Sequence, residues 1–418
     1  MHHFKYSGGV LCCEGVRLDS LAKRYGTPLY VYSHDALTRH YKVFDRAFKG
    51  MNHMICYSVK ANSTLAVLAA LARQGAGADI VSGGELYRAL HAGINPQDIV
   101  YSGVGKTDEE INYALRAGIR LFNIESEEEL ARIDALAGKL KHKAPVGIRI
   151  NPDIDAQTHP HIATGLKSEK FGIDIEASLA TYRRAARLKH VDILGLTCHI
   201  GSQILQVEPF VDALRKLRAL LEALRGKGFQ IRYLDVGGGL GIDYGKETPP
   251  HPDQYARAIM NELADFSLCL ILEPGRVIVG NTGVLLTRVL YRKKQDSKRF
   301  LVVDAGMNDM IRPALYNSHH EIKPVKQTRA GKQKVDVVGP ICESSDFLAR
   351  DRELPNVPQG ALLAVFSAGA YGFSMASNYN SRPRPAEVMV KGKRTYLVRE
   401  REEYDDLISG EIIPRGLG

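Results

Sequence analysis

The stretch that decides the fold is His53 to Gly103, HMICYSVKANSTLAVLAALARQGAGADIVSGGELYRALHAGINPQDIVYSG. It contains the apolar runs HMICYSV (53–59), ADIVS (78–82) and DIVYS (98–102), separated by segments of helical spacing that end in Gly. Short apolar runs bounded by turn residues read as buried strands. Apolar residues at three- and four-residue intervals before a Gly read as amphipathic helices with their C-caps. Outward from this stretch the rhythm continues through RLFNI (120–124), VGIRI (146–150), ILGLTCHI (193–200), YLDVG (233–237) and LCLILE (268–273). Helical segments such as TDEEINYALRAG and PFVDALRKLRALLEALRGKG lie between these runs. Eight alternations over roughly 240 residues, counting the helix before the first strand, have the size and pattern of a (β/α)8 TIM-type barrel. A doubly wound open sheet is the alternative.

Beyond Pro274 the texture changes to β-rich runs with little helical spacing: GVLLTRVLYRK, RFLVVDAG, KVDVVGP, ALLAVFSAG, AEVMVKG and RTYLVRE. TPLYVYS (27–33) also reads as a strand and is expected to join that sheet, because it precedes the first barrel unit. The expected organisation is therefore α/β plus all-β. A barrel domain spans 34–275, and a discontinuous β-barrel or sandwich domain is built from 1–33 and 276–418.

The composition agrees with two folded domains. Of 418 residues, 44% are hydrophobic and 25% charged, which excludes a disordered chain, and single cores stop growing at roughly 250 to 300 residues. No run approaches the roughly 20 apolar residues of a membrane span, and the opening MHHFKYSGGVLCCEG lacks the apolar stretch of a secretion signal, so a soluble cytoplasmic protein with no membrane partner is expected. Cys12, Cys13, Cys56, Cys198, Cys269 and Cys342 show no metal-ligand spacing, and neither a metal centre nor a disulfide framework is expected. The net charge of +9 is scattered. Its densest stretches, YRKKQDSKRF (291–300) and KQTRAGKQK (326–334), read as solvated hairpin tips and not as a nucleic-acid surface.

In such a barrel the chemistry sits at the carboxyl ends of the strands, which directs attention to Lys60, Asp79, His199 with Ser202, Gly237 to Gly239, and Glu273 with Arg276. Lys60 ends the first strand. Desolvation there would lower its pKa and suit it to Schiff-base formation, the alternative being a lysine that reaches to solvent. Backbone N–H groups of the triple glycine in LDVGGGLG can cradle a phosphate, although a tight strand exit explains them equally well. His199 and Ser202 suit a flat ring and an anion, or else a packed, hydrogen-bonded histidine. In the EPGR turn, Glu273, Pro274, Gly275 and Arg276 set a carboxylate beside a cation. Glu273 can hold a protonated pyridine nitrogen, the partner a pyridoxal ring needs as an electron sink, whereas a structural Glu–Arg bridge explains the pair but not its position. In the β part, CESSD (342–346) puts the Cys342 thiol beside two acids, and SAGAYG (367–372) puts Tyr371 between glycines.

Together these segments resemble the diaminopimelate decarboxylases, members of the alanine-racemase-like, fold-type III group of pyridoxal phosphate enzymes. The resemblance covers nearly the whole chain: YSVKAN, DIVSGGEL, NPDIDAQTH with TG and KFGI, HIGSQI, DVGGGLGI, EPGR, DAGMNDMIRPALY, GPICESSD and SAGAYGFSMASNYNSRPRPAEV follow in the family order. One departure is His161 in THPHIATG, where the family usually has an aromatic hydroxyl residue. The resemblance implies that Lys60 carries pyridoxal 5′-phosphate, His199 stacks on its ring and Asp79 lines its pocket. It assigns phosphate or ring contacts to Ser202, Gly238, Gly239 and the turn Glu273, Pro274, Gly275 and Arg276. Tyr371 would sit near both phosphate and substrate. Cys342, the acid, and Glu343 would come from the neighbouring subunit of a homodimer.

The implied substrate has a zwitterionic far end, its carboxylate gripped by Arg276, Arg312 and Tyr316 and its ammonium by Glu343. The expected reaction converts meso-2,6-diaminopimelate to L-lysine and carbon dioxide, the last step of lysine synthesis. Ligands lacking the distal carboxylate leave buried donors unpaired, for which sites of this kind discriminate by roughly 10⁴ to 10⁵. Decarboxylases of the same architecture for ornithine, arginine or carboxynorspermidine are the rivals, and Glu343 in place of Asp speaks against the first two. A non-catalytic homologue that binds pyridoxal phosphate would be expected to lack Lys60 or Cys342, and both are present.

Overall fold

The computed structural model describes residues 3–155, 170–245 and 247–417; His161 lies outside them. Internal contacts divide the chain into Leu37–Val279 and a second unit made of Met1–Ala36 with Gly280–Gly418. The first cut falls after residue 36 and not 33, because the opening turn of helix His34–Ala47 is tied backwards. The Asp35 N–H donates to Glu14 and the Ala36 N–H to Ser33 Oγ.

In the larger unit all eight expected strands are present: β1 (His53–Ser58), β2 (Gly77–Ile80), β3 (Ile99–Tyr101), β4 (Leu121–Ile124), β5 (Ala144–Asn151), β6 (Val191–Thr197), β7 (Tyr233–Asp235) and β8 (Cys269–Leu272). Each pairs in parallel with the next, and β8 pairs in parallel with β1. That last pairing closes the ring and excludes the open sheet. Inside it, Leu121 fills the space opposite Gly147 and Gly195, where an added Cβ would meet its Cδ2 at 3.0 Å.

Local chemistry fixes where the strand ends lie. Helix Asp108–Ala117, after β3, starts at a capping box of Thr107 and Glu110, has acids in its first turn and stops at Gly118 with φ 70°. Ser82 and Ser126 cap the helices after β2 and β4 in the same manner, their hydroxyls accepting the N–H groups of Glu85 and Glu129. The loops at the carboxyl ends of these strands are thereby short and defined.

The second unit is β-rich. Strand Leu29–Ser33 lies between Gly283–Gln295, antiparallel, and Ala386–Lys391, parallel, so the early strand does join the later sheet. Gly283–Gln295 continues antiparallel into Lys298–Val303, which runs parallel to Lys332–Val338, itself antiparallel to Phe347–Pro355. Leu29, Val31, Val284, Leu286, Ala364, Val388 and Val390 form the core against one face. YRKKQDSKRF is an exposed hairpin that turns at Asp296. KQTRAGKQK is no hairpin tip: it is an exposed loop running into strand Lys332–Val338.

Candidate active site

Lys60 follows β1 in a single 3-10 turn, and its Nζ lies 2.5 Å from Oδ2 of Asp79 on β2. Ser58 Oγ donates to the same oxygen at 2.8 Å. The expected desolvation of this lysine is not what the structure has. Its side chain is 37% exposed, and it is held by a fully buried carboxylate partner, not by an apolar wall. Strand pairing explains the difference, because Ser58 is registered opposite Asp79 and the residue two beyond it reaches the same carboxylate.

Asp79 is one of four buried acids at the strand ends, with Asp235 on β7, Glu273 after β8 and Glu125 after β4, the last paired with Arg149. Glu273 Oε1 accepts from Ser102 Oγ at 3.2 Å and from Asn123 Nδ2 at 3.4 Å. Asn123 also donates to Asp235 Oδ2 at 2.9 Å. Burial pushes the Glu273 carboxyl well above the usual range, with the charges of Asp235 and Asp79 adding to it and Lys60 offsetting part. Burial likewise raises Asp235, to about 6. Burial thus disfavours the charged forms of both acids, and the cluster favours a cation placed against it. Glu273 does not form the structural bridge to Arg276 that the EPGR turn suggested. The Arg276 guanidinium instead donates to Ser202 Oγ at 2.9 Å and to the Tyr244 hydroxyl.

His199 follows β6. Its Nδ1 accepts the Gly238 N–H at 3.2 Å, which fixes the tautomer with hydrogen on Nε2. Burial, then the cations Arg149 and Lys60, push this imidazole well below its ordinary pKa, so it is a neutral flat ring. The glycine stretch is a tight strand exit. An added Cβ at Gly238 would sit 2.2 Å from the Glu273 carbonyl oxygen, and one at Gly239, where φ is 111°, 2.5 Å from that of Gly201, so the strand exits need glycine. The Gly237 and Gly238 N–H groups are taken by Asp235 and His199, so neither is offered to an anion.

The β-rich unit holds the remaining residues expected to act. Arg312 is buried, 5.6 Å from the Tyr316 ring centroid and 6.0 Å from that of Tyr371. Its Nε donates to His320 Nε2 at 3.4 Å, and the opposite nitrogen of that fully buried imidazole donates to the Phe366 carbonyl at 2.8 Å. Tyr371 holds a left-handed backbone, φ 56°. Cys342 is exposed, not a buried thiol, and neighbours Glu343. Of the two acids in CESSD, Asp346 is a tie, accepting the N–H groups of Ile341 and Met307.

Residues 34–280 match the family model described as pyridoxal-dependent decarboxylase, pyridoxal binding domain. The diaminopimelate decarboxylase of Pseudomonas aeruginosa is 53% identical over 413 residues, covering 99% of both chains. The chain belongs to the diaminopimelate decarboxylase family. The Vibrio cholerae member is 52% identical over 415 residues, 99% of each chain. Among solved structures, the M. jannaschii diaminopimelate decarboxylase superposes with a TM-score of 0.95 at 41% identity, covering 99% of this chain and 98% of that one. The Helicobacter pylori diaminopimelate decarboxylase, complexed with L-lysine, gives 0.91 at 44% identity over 94% and 98%.

The residues present in this diaminopimelate decarboxylase family member fit pyridoxal 5′-phosphate. They offer an amine at Lys60, a buried carboxyl for a ring nitrogen, a neutral imidazole for a ring face, and a guanidinium with a hydroxyl for a phosphate. Asp79 Oδ1 is buried without a hydrogen-bond partner among the described residues, as a site awaiting a polar ligand would leave it. Sequence reasoning missed Ser102, Asn123, Asp235, Tyr244 and His320. The first three carried a readable signal, a polar residue inside or closing the apolar runs DIVYS, RLFNI and YLDVG. Tyr244 and His320 carried none.

Proposed function

We propose that this chain decarboxylates meso-2,6-diaminopimelate to L-lysine and carbon dioxide. The observation that carries the reading is the placement at the barrel strand ends of the Lys60 amine, the buried Glu273 carboxyl and the Arg276–Ser202 pair, in a chain aligned over its length with diaminopimelate decarboxylases. When bound, pyridoxal 5′-phosphate supplies the sink for the electron pair released as the Cα–carboxylate bond breaks. Lys60 would be the amine that holds the cofactor. Glu273, as a carboxylate beside the ring nitrogen, would hold a proton there, and the neutral His199 would cover a ring face without adding charge. Cys342 delivers a proton to the carbon that lost its carboxylate. Arg312, braced by Tyr316 and Tyr371, takes the distal carboxylate, and Glu343 takes the distal ammonium.

The reading includes a homodimer in which Cys342 and Glu343 serve the partner's barrel. Both are exposed on the single chain, and Tyr404, Ile408, Ile412 and Ile413 present further uncovered apolar surface near the C-terminal end. A cytoplasmic location and the final step of lysine synthesis go with it. No helix among the described residues is long and apolar enough to cross a membrane.

Carbon dioxide release from diaminopimelate, lysine, ornithine, arginine and carboxynorspermidine tests the reaction. Release from diaminopimelate alone is expected, and comparable kcat/KM on any other substrate overturns the assignment. Borohydride reduction of the holoenzyme should leave a pyridoxyl mass on Lys60, and a mass mapped to another lysine overturns that residue's role.

A further inference from the structure

We propose that Asn380 and Tyr379 are positioning residues that hold the Cys342–Glu343 pair in its working geometry, an inference that rests on the roles proposed above for those two residues. Cys342 and Glu343 lie on an exposed loop between strands Lys332–Val338 and Phe347–Pro355. A loop alone does not fix a thiol to the tolerance that proton delivery demands. The fixing bonds come from a second segment, SNYNS (377–381). Asn380 Oδ1 accepts the Cys342 backbone N–H at 2.8 Å, and the Tyr379 hydroxyl donates to Glu343 Oε2 at 3.0 Å. Two adjacent residues of one turn thus grip two adjacent residues of the other.

The gripping turn is strained. Asn380 and Ser381 both hold left-handed backbone, φ 57° and 51°, and neither is glycine. Such a pair persists where surrounding bonds over-determine it, and strain of this kind clusters at functional sites. Here the Asn378 amide donates to the Arg382 carbonyl at 3.1 Å and to Glu402 Oε2 at 2.6 Å, and the Tyr379 N–H donates to Ser377 Oγ at 3.4 Å. Glycine would relieve the backbone at 380 but would lack the oxygen that Cys342 uses. Backbone shape and side-chain acceptor are therefore separable by substitution.

The test is steady-state kinetics on holoenzyme carrying Asn380→Gly, Asn380→Asp or Tyr379→Phe, with Cys342→Ala as reference and melting temperature and cofactor content recorded for each. Asn380→Gly should retain cofactor and melting temperature yet lose roughly tenfold or more in kcat at nearly unchanged KM, as misplacement of a reacting group does. Asn380→Asp keeps the acceptor and should return to within about threefold of wild type, while Tyr379→Phe should raise KM about three- to tenfold with kcat nearly intact. Wild-type kcat in Asn380→Gly, or an Asp variant as slow as the Gly variant, overturns the role of Asn380. Unchanged KM in Tyr379→Phe overturns that of Tyr379. If both position-380 variants lose melting temperature while their folded fractions turn over normally, the turn is structural and the inference fails. Full activity in Cys342→Ala removes the reading of Cys342 itself, and this inference falls with it. An inactive Cys342→Ala beside a normal Asn380→Gly removes the positioning role alone.

Discussion

Glu273 is the residue on which most of the electrostatics turns, because its carboxyl shares a buried layer with Asp79 and Asp235 and Lys60 offsets only part of their effect on it. Its pKa and that of Asp235 are raised by folding, so the native state binds more protons than the unfolded chain between the two sets of values. The contribution of these two acids to stability then falls as pH rises from the ordinary carboxylate range near 4 through about 6, to which burial raises Asp235. Melting temperatures of the cofactor-free protein across that window should show this decline, and Asp235→Asn should flatten it. An identical slope in the variant would remove these acids as its source. Arg312 gives a second expectation at this scale. Its guanidinium is braced by His320 and two tyrosines, so Arg312→Ala should cost about 2 to 5 kcal/mol in kcat/KM for diaminopimelate, the range for truncating one side of a buried charged pair. Cofactor affinity should stay as in the wild type. A spectral titration with pyridoxal phosphate separates the two effects, and unchanged kcat/KM would take Arg312 out of substrate binding.

Among the elements, the exits of β7 and β8 are tightly built against each other. Gly238 lies against the Glu273 backbone so closely that a methyl group cannot enter without moving one strand exit off the other. Gly238→Ala should cost about 1 to 3 kcal/mol, as overpacking does, and should weaken cofactor retention at the same time. Gly226, the last residue of helix Glu208–Gly226, has nothing within 4 Å of an added Cβ. Gly226→Ala should be neutral or stabilising by up to about 1 kcal/mol. Thermal melts with cofactor release followed in parallel check both, and equal behaviour of the two variants would contradict the packing account. This contrast also marks the reach of sequence reading. Both glycines end a recognisable element, and nothing local tells that one of them faces another strand's carbonyl.

For the whole molecule, the proposed dimer makes a quantitative statement. Lys60→Ala and Cys342→Ala should each be nearly inactive alone, and mixing them after reversible dissociation should restore about a quarter of wild-type activity, since half the dimers are mixed and half their sites carry both groups. No recovery after subunit exchange verified by mass would place Cys342 in its own subunit's site or outside catalysis. The sequence by itself determined the barrel, the β-rich unit with its early strand, and the identity of the strand-end groups from Lys60 to Arg276. Strand length, helix periodicity, caps and turn glycines are local properties, and a closed parallel barrel is the arrangement that buries eight such strands together. Only the tertiary structure decided that Lys60 rests on Asp79 in partial exposure, that Ser102, Asn123 and Asp235 share a network with Glu273, and that Arg276 turns to Ser202 and Tyr244. It alone set Asn380 against Cys342 and His320 against Arg312. Those pairings join residues from different strands and loops, and their partners are chosen by the register that closes each sheet and by the depth at which a charge loses its water, neither of which has a local trace in the chain.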